Sequence, residues 1–226
     1  MGQFDAERQR IVDACRVLVR QGYLMATGGN VSLRLTAQSG FAITPSNYDY
    51  SQMTSDDVCA LDWKLNPLAG ERKPSMESSL HVAVYASRTD VNAIIHTHQA
   101  YASALALIRA PIPALFDEQV RFLGRSVDII PYAPSGTPFL KNNISRHVKN
   151  HHNAYILQNH GALCFGPDMQ RAMHNVEILE KCSLAYLLAL CTERPVSKIP
   201  LAVREIAFAK LRQDQARLER RNEEET

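Results

Sequence analysis

No run of apolar residues in this chain approaches the roughly 18 that a membrane-crossing helix requires, so a membrane-embedded protein is not expected. A dominant charge of either sign is also missing, because 25 Lys and Arg face 23 Asp and Glu. That balance leaves no broad basic field of the kind nucleic-acid binding needs. The five cysteines, at 15, 59, 164, 182 and 191, are odd in number and never fall into a Cys-x-x-Cys spacing. They read as free thiols, mostly buried, in a reducing compartment. The stretch Met1 to Arg8 carries acidic residues and no apolar core ahead of a cleavage site, so no signal peptide is expected, and Ala6 stands where a myristoylation motif wants Ser or Thr. These absences together point to the cytoplasm. Internal repeats, low-complexity segments and linker-like composition breaks are missing too, and 226 residues suit one domain over 1–226, with 207–226 a charged, fraying tail.

What is present alternates between strand-like and helix-like patterns. Apolar residues at 11, 14, 15 and 18 predict an opening helix over 4–21, with Gly22 as its cap. Residues 31–35 and 41–44 predict a hairpin with a polar turn around 37–40, and 58–63 a further strand before a turn at 66–70. Helices are expected over 76–87, 100–108, 137–150 and 169–191, with strands at 127–131 and 155–165. The helix 169–191 bears two apolar stripes and should be buried on more than one side. This order predicts an α/β fold: one layered α/β/α domain, with a central, mainly antiparallel sheet flanked by helices.

The chemistry concentrates in Ile94-Ile95-His96-Thr97-His98-Gln99. Residues two apart on a strand share a face, so His96 and His98 project into one space at the end of an apolar run. The pair reads either as an edge-strand pair or as two ligands of a borderline metal such as zinc, whose catalytic sites usually take three protein ligands. His160, in Gln158-Asn159-His160-Gly161, is the candidate third ligand, and Gly161 lets another group approach the backbone closely. Glu77, in the first turn of a helix that runs straight into the histidine strand, is available to the same metal. It is equally an ordinary first-turn acid, as Ser75 is an ordinary helix cap. Gly28-Gly29-Asn30 is either turn chemistry or an anion-binding nest aided by the Asn30 and Ser32 side chains. It lacks the spacing and the lysine of a P-loop. His81, one turn after Glu77, could support a ligand from behind; His147, His151, His152 and His174 read as structural or surface residues.

Taken in order, Thr27-Gly28-Gly29-Asn30-Val31-Ser32, Ile43-Thr44-Pro45-Ser46, Pro74-Ser75-x-Glu77, His96-x-His98 and Asn159-His160-Gly161 resemble the motifs of the class II aldolase/adducin family over residues 5 to 195. The best-known enzymes of that family are zinc-dependent L-fuculose-phosphate and L-ribulose-phosphate aldolases and epimerases. The resemblance implies one Zn2+ per subunit on His96, His98 and His160, with Glu77 completing the shell or transferring protons. It implies a phosphate site from Gly29, Asn30, Ser46, Asn47, Ser75 and the backbone of Met76, and a homotetramer with active sites between subunits. The implied reaction cleaves a ketose 1-phosphate, such as a deoxy-ketose 1-phosphate, to dihydroxyacetone phosphate and an aldehyde through an enediolate. Other zinc lyases of the family, a sugar-acid phosphate decarboxylase or a methylthioribulose-phosphate dehydratase, are the alternatives, followed by a metal-free adducin-like scaffold. Two departures stand out. Met76 occupies the place of a second phosphate-directed serine, and Leu115-Phe116-Asp117-Glu118 replaces a segment that carries a catalytic tyrosine, which makes Asp117 or Glu118 the substitute acid.

Overall fold

Period-two alternation builds the centre of the molecule. The computed structural model describes residues 4–35 and 39–224, with side chains as far as residue 221. Eight strands, β1 (Asn30–Arg34), β2 (Gly40–Ile43), β3 (Cys59–Asp62), β4 (Pro67–Ala69), β5 (Ala93–Thr97), β6 (Asp128–Ile130), β7 (Ala154–Leu157) and β8 (Gly161–Gly166), form one sheet in the order β4-β3-β2-β1-β5-β8-β7-β6. Every neighbouring pair is antiparallel except β6 and β7. In central β5 all residues are buried. Ala93 and Ile95 join one apolar cluster while Ile94 joins the other, as expected where helices cover both faces.

Seven helices supply those layers: α1 (Asp5–Arg20), α2 (Ser78–Ser87), α3 (Ala100–Ile108), α4 (Asp117–Phe122), α5 (Pro138–His147), α6 (Met169–Leu190) and α7 (Leu201–Glu224). Helices α1, α3 and α6 pack through Ile11, Leu18, Leu105, Val176 and Leu179 on the Ile95 face. Helices α2 and α5 pack through Leu80, Val84, Leu140 and Ile144 on the Ile94 face. Each of these aliphatic side chains contributes about 1.5–3 kcal/mol by leaving water. The expected layered α/β/α arrangement with a mainly antiparallel sheet is therefore what forms.

Several expectations change in detail. The predicted strand over 155–165 is two strands, β7 and β8, folded back on each other with Leu157 opposite Gly161, so His160 stands in the connecting turn. Its neighbour Asn159 takes φ 54, a conformation Asn tolerates better than most residues. The turn predicted at 66–70 contains edge strand β4, where the missing N–H of Pro67 does little harm. Helix α2 begins later than predicted: Glu77 is its N-cap, not a first-turn residue, and Ser75 lies before it. The turn placed at 37–40 falls mostly outside the described residues.

The C-terminal segment departs most. Read from its alternating charge as a solvated helix fraying at its end, it is indeed helical, as α7, but it docks beside α4 through Phe208 and Leu211 against Ala114 and Val120. Arg121 pairs with Asp214 and Arg125 with Glu205 across the same contact, and buried Gln215 donates to His151 O and Asn153 Oδ1 at 3.0 Å each. Phe208, Leu211 and Gln215 follow the i, i+3, i+7 spacing of one helical face. The charges occupy the other faces and concealed that stripe. No helix among the described residues is long and apolar enough to cross a membrane. Helix α6 is buried through Ser183 but exposes Leu188 and Leu190, so its second stripe is covered for only part of its length.

Candidate metal centre and phosphate cleft

Two adjacent strand ends and one helix start converge at the site. Asn30 on β1 stands opposite His96 on β5, so both side chains leave the sheet on one face. Helix α2 lies on that face and sets Glu77, at its N-terminus, over the end of β5. His98 follows β5 directly, and the β7–β8 turn brings His160 alongside. Gly161 is required here for space. A Cβ at this position would lie 2.3 Å from Thr97 O, 2.7 Å from His98 Cδ2 and 3.2 Å from His96 Cε1.

His96, His98 and His160 each present a ring nitrogen within 4.8 Å of the others. His96 Nε2 lies 3.0 Å from His98 Nε2 and 3.4 Å from Glu77 Oε2, and His160 Nε2 lies 3.2 Å from Glu77 Oε1. His96 Nδ1–H donates to Ala162 O at 2.9 Å, which leaves its Nε2 with a lone pair facing the others. Burial, countered in part by Glu77, pushes His96 down to about 4, and burial together with His160 lowers His98. These two rings are therefore neutral near pH 7. Burial alone would raise Glu77, but the His96 and His160 rings and the Asn30 amide outweigh it and hold the carboxyl down to about 2. Glu77 Oε1 is buried with no hydrogen-bond partner among the described residues.

A carboxylate and imidazole lone pairs thus face one point, an arrangement that a cation relieves. The His96–His98 separation of 3.0 Å is close to the edge of about 3.3 Å expected for a tetrahedron with zinc–nitrogen bonds of about 2.0–2.1 Å, and each Glu77 oxygen lies within 3.4 Å of a histidine nitrogen. These residues fit a zinc ion. A second group of potential ligands, Asp90, His151 and Glu219, does not. Arg88 holds both Asp90 oxygens at 2.7 Å, and Arg212 Nη1 donates to His151 Nδ1 at 2.6 Å. Two guanidinium groups already supply the positive charge there.

Beside the histidines opens a cavity of about 160 Å³ lined by Gly29, Asn30, Ser46, Asn47, Ser75, Met76, Glu77, His98 and His160. All the residues expected at the phosphate site border it. Gly29 has φ +81, and a Cβ there would meet His96 O at 2.5 Å. Ser75 Oγ accepts from Glu77 N–H at 3.2 Å, which leaves its own proton free for a ligand. Two side chains expected to face an anion have partners within the protein. Asn30 turns its amide to Glu77 Oε2 and His81, and Ser32 Oγ bonds His81 and Tyr85. Both are buried, because alternation turns these β1 side chains under α2. Asn30 lines the cavity and keeps its second Nδ2–H and its backbone to offer a ligand.

Asp117 and Glu118 are not brought to this cleft. Asp117 is exposed at the start of α4, and Glu118 lies 3.6 Å from both His174 Nε2 and Lys181 Nζ on α6. The sequence reading missed Thr27, Ser135 and Tyr50, which also line the cavity. Tyr50 OH donates to Gly29 O at 2.7 Å, and Ser135 Oγ stands 3.4 Å from His160 Nε2. Ser135 sits in Pro134-Ser135-Gly136, ordinary turn chemistry without any spacing signal.

The family model described as Class II Aldolase and Adducin N-terminal domain matches residues 9–187. An L-fuculose phosphate aldolase of Escherichia coli O6:H1 is 33% identical over 191 residues, covering 83% of this chain and 86% of that protein. A 5-deoxy-D-ribulose 1-phosphate aldolase of Bacillus thuringiensis is 32% identical over 180 residues, covering 80% of this chain and 84% of its own length. The solved structure of an L-fuculose 1-phosphate aldolase superposes with a TM-score of 0.85 at 31% identity, covering 92% of this chain and 96% of that one.

Proposed function

The chain belongs to the class II aldolase and adducin family, and from that premise we propose that it is a zinc-dependent lyase that cleaves a ketose 1-phosphate to dihydroxyacetone phosphate and an aldehyde. The observation that carries this reading is the convergence of three imidazoles and one carboxylate beside a cavity rich in backbone N–H and hydroxyl groups. An adducin-like scaffold would not require three imidazoles gathered around a buried carboxylate. The sugar-phosphate relatives supply the substrate class, and the phosphate handle suits the Gly29, Ser46, Asn47 and Ser75 rim.

His96, His98 and His160 would hold the metal, with Glu77 as a fourth ligand when substrate is absent. Bound zinc supplies Lewis-acid polarisation of the substrate carbonyl and its neighbouring hydroxyl. Cleavage moves one proton from the C4 hydroxyl, which becomes the aldehyde carbonyl, to C3, the carbon left electron-rich when the C3–C4 bond breaks, and Glu77, ionised at rest, would take up that proton and deliver it to C3. The phosphate rim fixes the distance from phosphorus to the reacting carbons, so binding energy orients the bond to be broken. Asp117 and Glu118 lie outside the cleft of their own chain. Either can act as the second acid only on a neighbouring subunit, which the proposed homotetramer with active sites between subunits allows.

The test is release of dihydroxyacetone phosphate from a panel of ketose 1-phosphates by the purified protein, by the protein after chelation, and by the protein after zinc is restored. Release that chelation abolishes and zinc restores is expected. No release with one zinc bound per chain would overturn the aldolase reading in favour of another lyase reaction at the same centre. No release and no zinc would overturn both.

A further inference from the structure

Behind Glu77, on the side away from the cleft, polar side chains line up in the dry layer between α2 and the sheet. Tyr85 OH lies 2.8 Å from Ser32 Oγ, which lies 2.6 Å from His81 Nδ1. His81 Nε2 lies 2.5 Å from Asn30 Oδ1, and Asn30 Nδ2 lies 2.7 Å from Glu77 Oε2. Tyr85, Ser32, His81 and Asn30 are at most 3% exposed, so solvent cannot substitute for any link. His81 and Tyr85 stand one turn apart on α2, and Asn30 and Ser32 stand two residues apart on β1, so each pair shares a face.

The direction of this chain is determined by its end. An ionised Glu77 accepts only, so Asn30 must turn its NH2 toward it and its carbonyl toward His81. His81 must then donate from Nε2. Burial pushes this ring down to about 3 despite the attraction of Glu77, so it is neutral and its Nδ1 accepts from Ser32 O–H. Ser32 Oγ, its proton given to His81, accepts from Tyr85 O–H at 2.8 Å, with Asn92 O at 3.3 Å the competing acceptor for that proton. From Ser32 to the carboxylate the protons run in one direction. The His81 proton adds a second restraint at the other end of the Asn30 amide, so that the group is held at both its NH2 and its carbonyl.

We propose that His81 is a positioning residue that acts through Asn30 to hold Glu77 Oε2, so that the carboxylate keeps Oε2 beside His96 and Oε1 beside His160. The inference rests on the reading of Glu77 as metal ligand and proton carrier. It gives Asn30 and Ser32 a part in orienting the carboxylate.

The experiment compares His81→Gln, whose amide can reproduce the Nε2–H donor to Asn30, with His81→Asn, which reaches only the Ser32 side. Two quantities are read: competition for zinc against a chelator, and kcat and KM on the ketose 1-phosphate selected from the panel. His81→Asn should lose 10- to 100-fold in zinc affinity and a similar factor in kcat, the range typical of a partner behind a metal ligand, with KM within about twofold. His81→Gln should recover most of both. Equal losses in the two variants, or a change confined to KM, would overturn the proposal. If neither variant folds, Tyr85→Phe removes only the far hydroxyl and should weaken zinc retention several-fold; a wild-type value would overturn the proposal. Glu77→Gln separates the two readings. Near-wild-type turnover in that variant would refute the role of Glu77 itself, while the zinc competition of the His81 variants still tests the hydrogen-bond chain.

Discussion

Removal of the Arg88 guanidinium should be among the most destabilising single changes in the molecule. Arg88 ends α2 and is 1% exposed, and its partner Asp90 is 3% exposed. Nε and Nη2 donate to the two Asp90 oxygens at 2.7 Å each, Nη1 to His152 O at 2.8 Å and Nη2 to Asn153 Oδ1 at 2.9 Å. Asn153 Oδ1 also accepts from Gln215 on α7, so one guanidinium ties together α2, the start of β7 and the C-terminal helix. Arg88→Ala leaves a buried carboxylate without its cation, a loss of about 3–5 kcal/mol, against a total stability of about 5–15 kcal/mol. With a urea slope of about 2 kcal/mol per M, the midpoint should fall by about 2 M at fixed protomer concentration. The double variant Arg88→Met with Asp90→Leu removes both charges and should lose less than the single one. A fall below about 0.5 M for Arg88→Ala, or a double variant no better than the single one, would refute this reasoning. Since α2 carries Glu77 at its other end, the variant should also lose kcat under conditions where it stays folded.

Gly161→Ala forces a Cβ to within 2.3 Å of Thr97 O and 2.7 Å of His98 Cδ2; it should cost about 1–3 kcal/mol of stability and most of the bound zinc, measured by thermal melting and metal content. Stoichiometric zinc in that variant would show that the turn yields without moving His98. Ser75→Ala should raise KM for the phosphorylated substrate more than it lowers kcat, since the hydroxyl proton is free for a ligand while Oγ accepts from Glu77 N–H; an effect confined to kcat would contradict a phosphate role. Acid should weaken the fold through His81, held neutral down to about 3 against about 6.5 in the unfolded chain. Below about pH 6.5 the unfolded state takes up the extra proton, so this contribution is present at neutral pH and is lost as pH falls from about 6.5 toward 3. Urea midpoints between pH 7 and 4 should therefore fall more steeply for the wild type than for His81→Gln, and parallel curves would count against it.

Much of the site could be read locally. His96 and His98 announce themselves by spacing on an apolar strand, and Gly161 by its place after His160. In three dimensions that glycine is where Thr97 O and His98 press closest. The cavity lining was legible as loop chemistry, in that Gly29, Ser46, Asn47 and Ser75 do border one cavity. Helices α1 and α3 and the β1–β2 hairpin were also legible, since each carries its own period. Asp117 and Glu118 illustrate the opposite case. Their place in the chain suggested a catalytic acid, yet the fold turns Glu118 toward His174 and Lys181.

The residue types alone determined that three imidazoles and a carboxylate were available and that strands and helices would layer, because ligand chemistry and periodicity are local properties. Only tertiary structure decided which side chains meet. Alternation along β1 and the seating of α2 on the same face buried Ser32 away from the cavity and joined both Asn30 and Ser32 to His81. The docking of α4 gave the charged α7 an apolar face to cover. Such outcomes depend on contacts between residues dozens of positions apart, such as Asn30 with Glu77 and Ala114 with Phe208, and no local pattern encodes which surface a strand or helix will find opposite it.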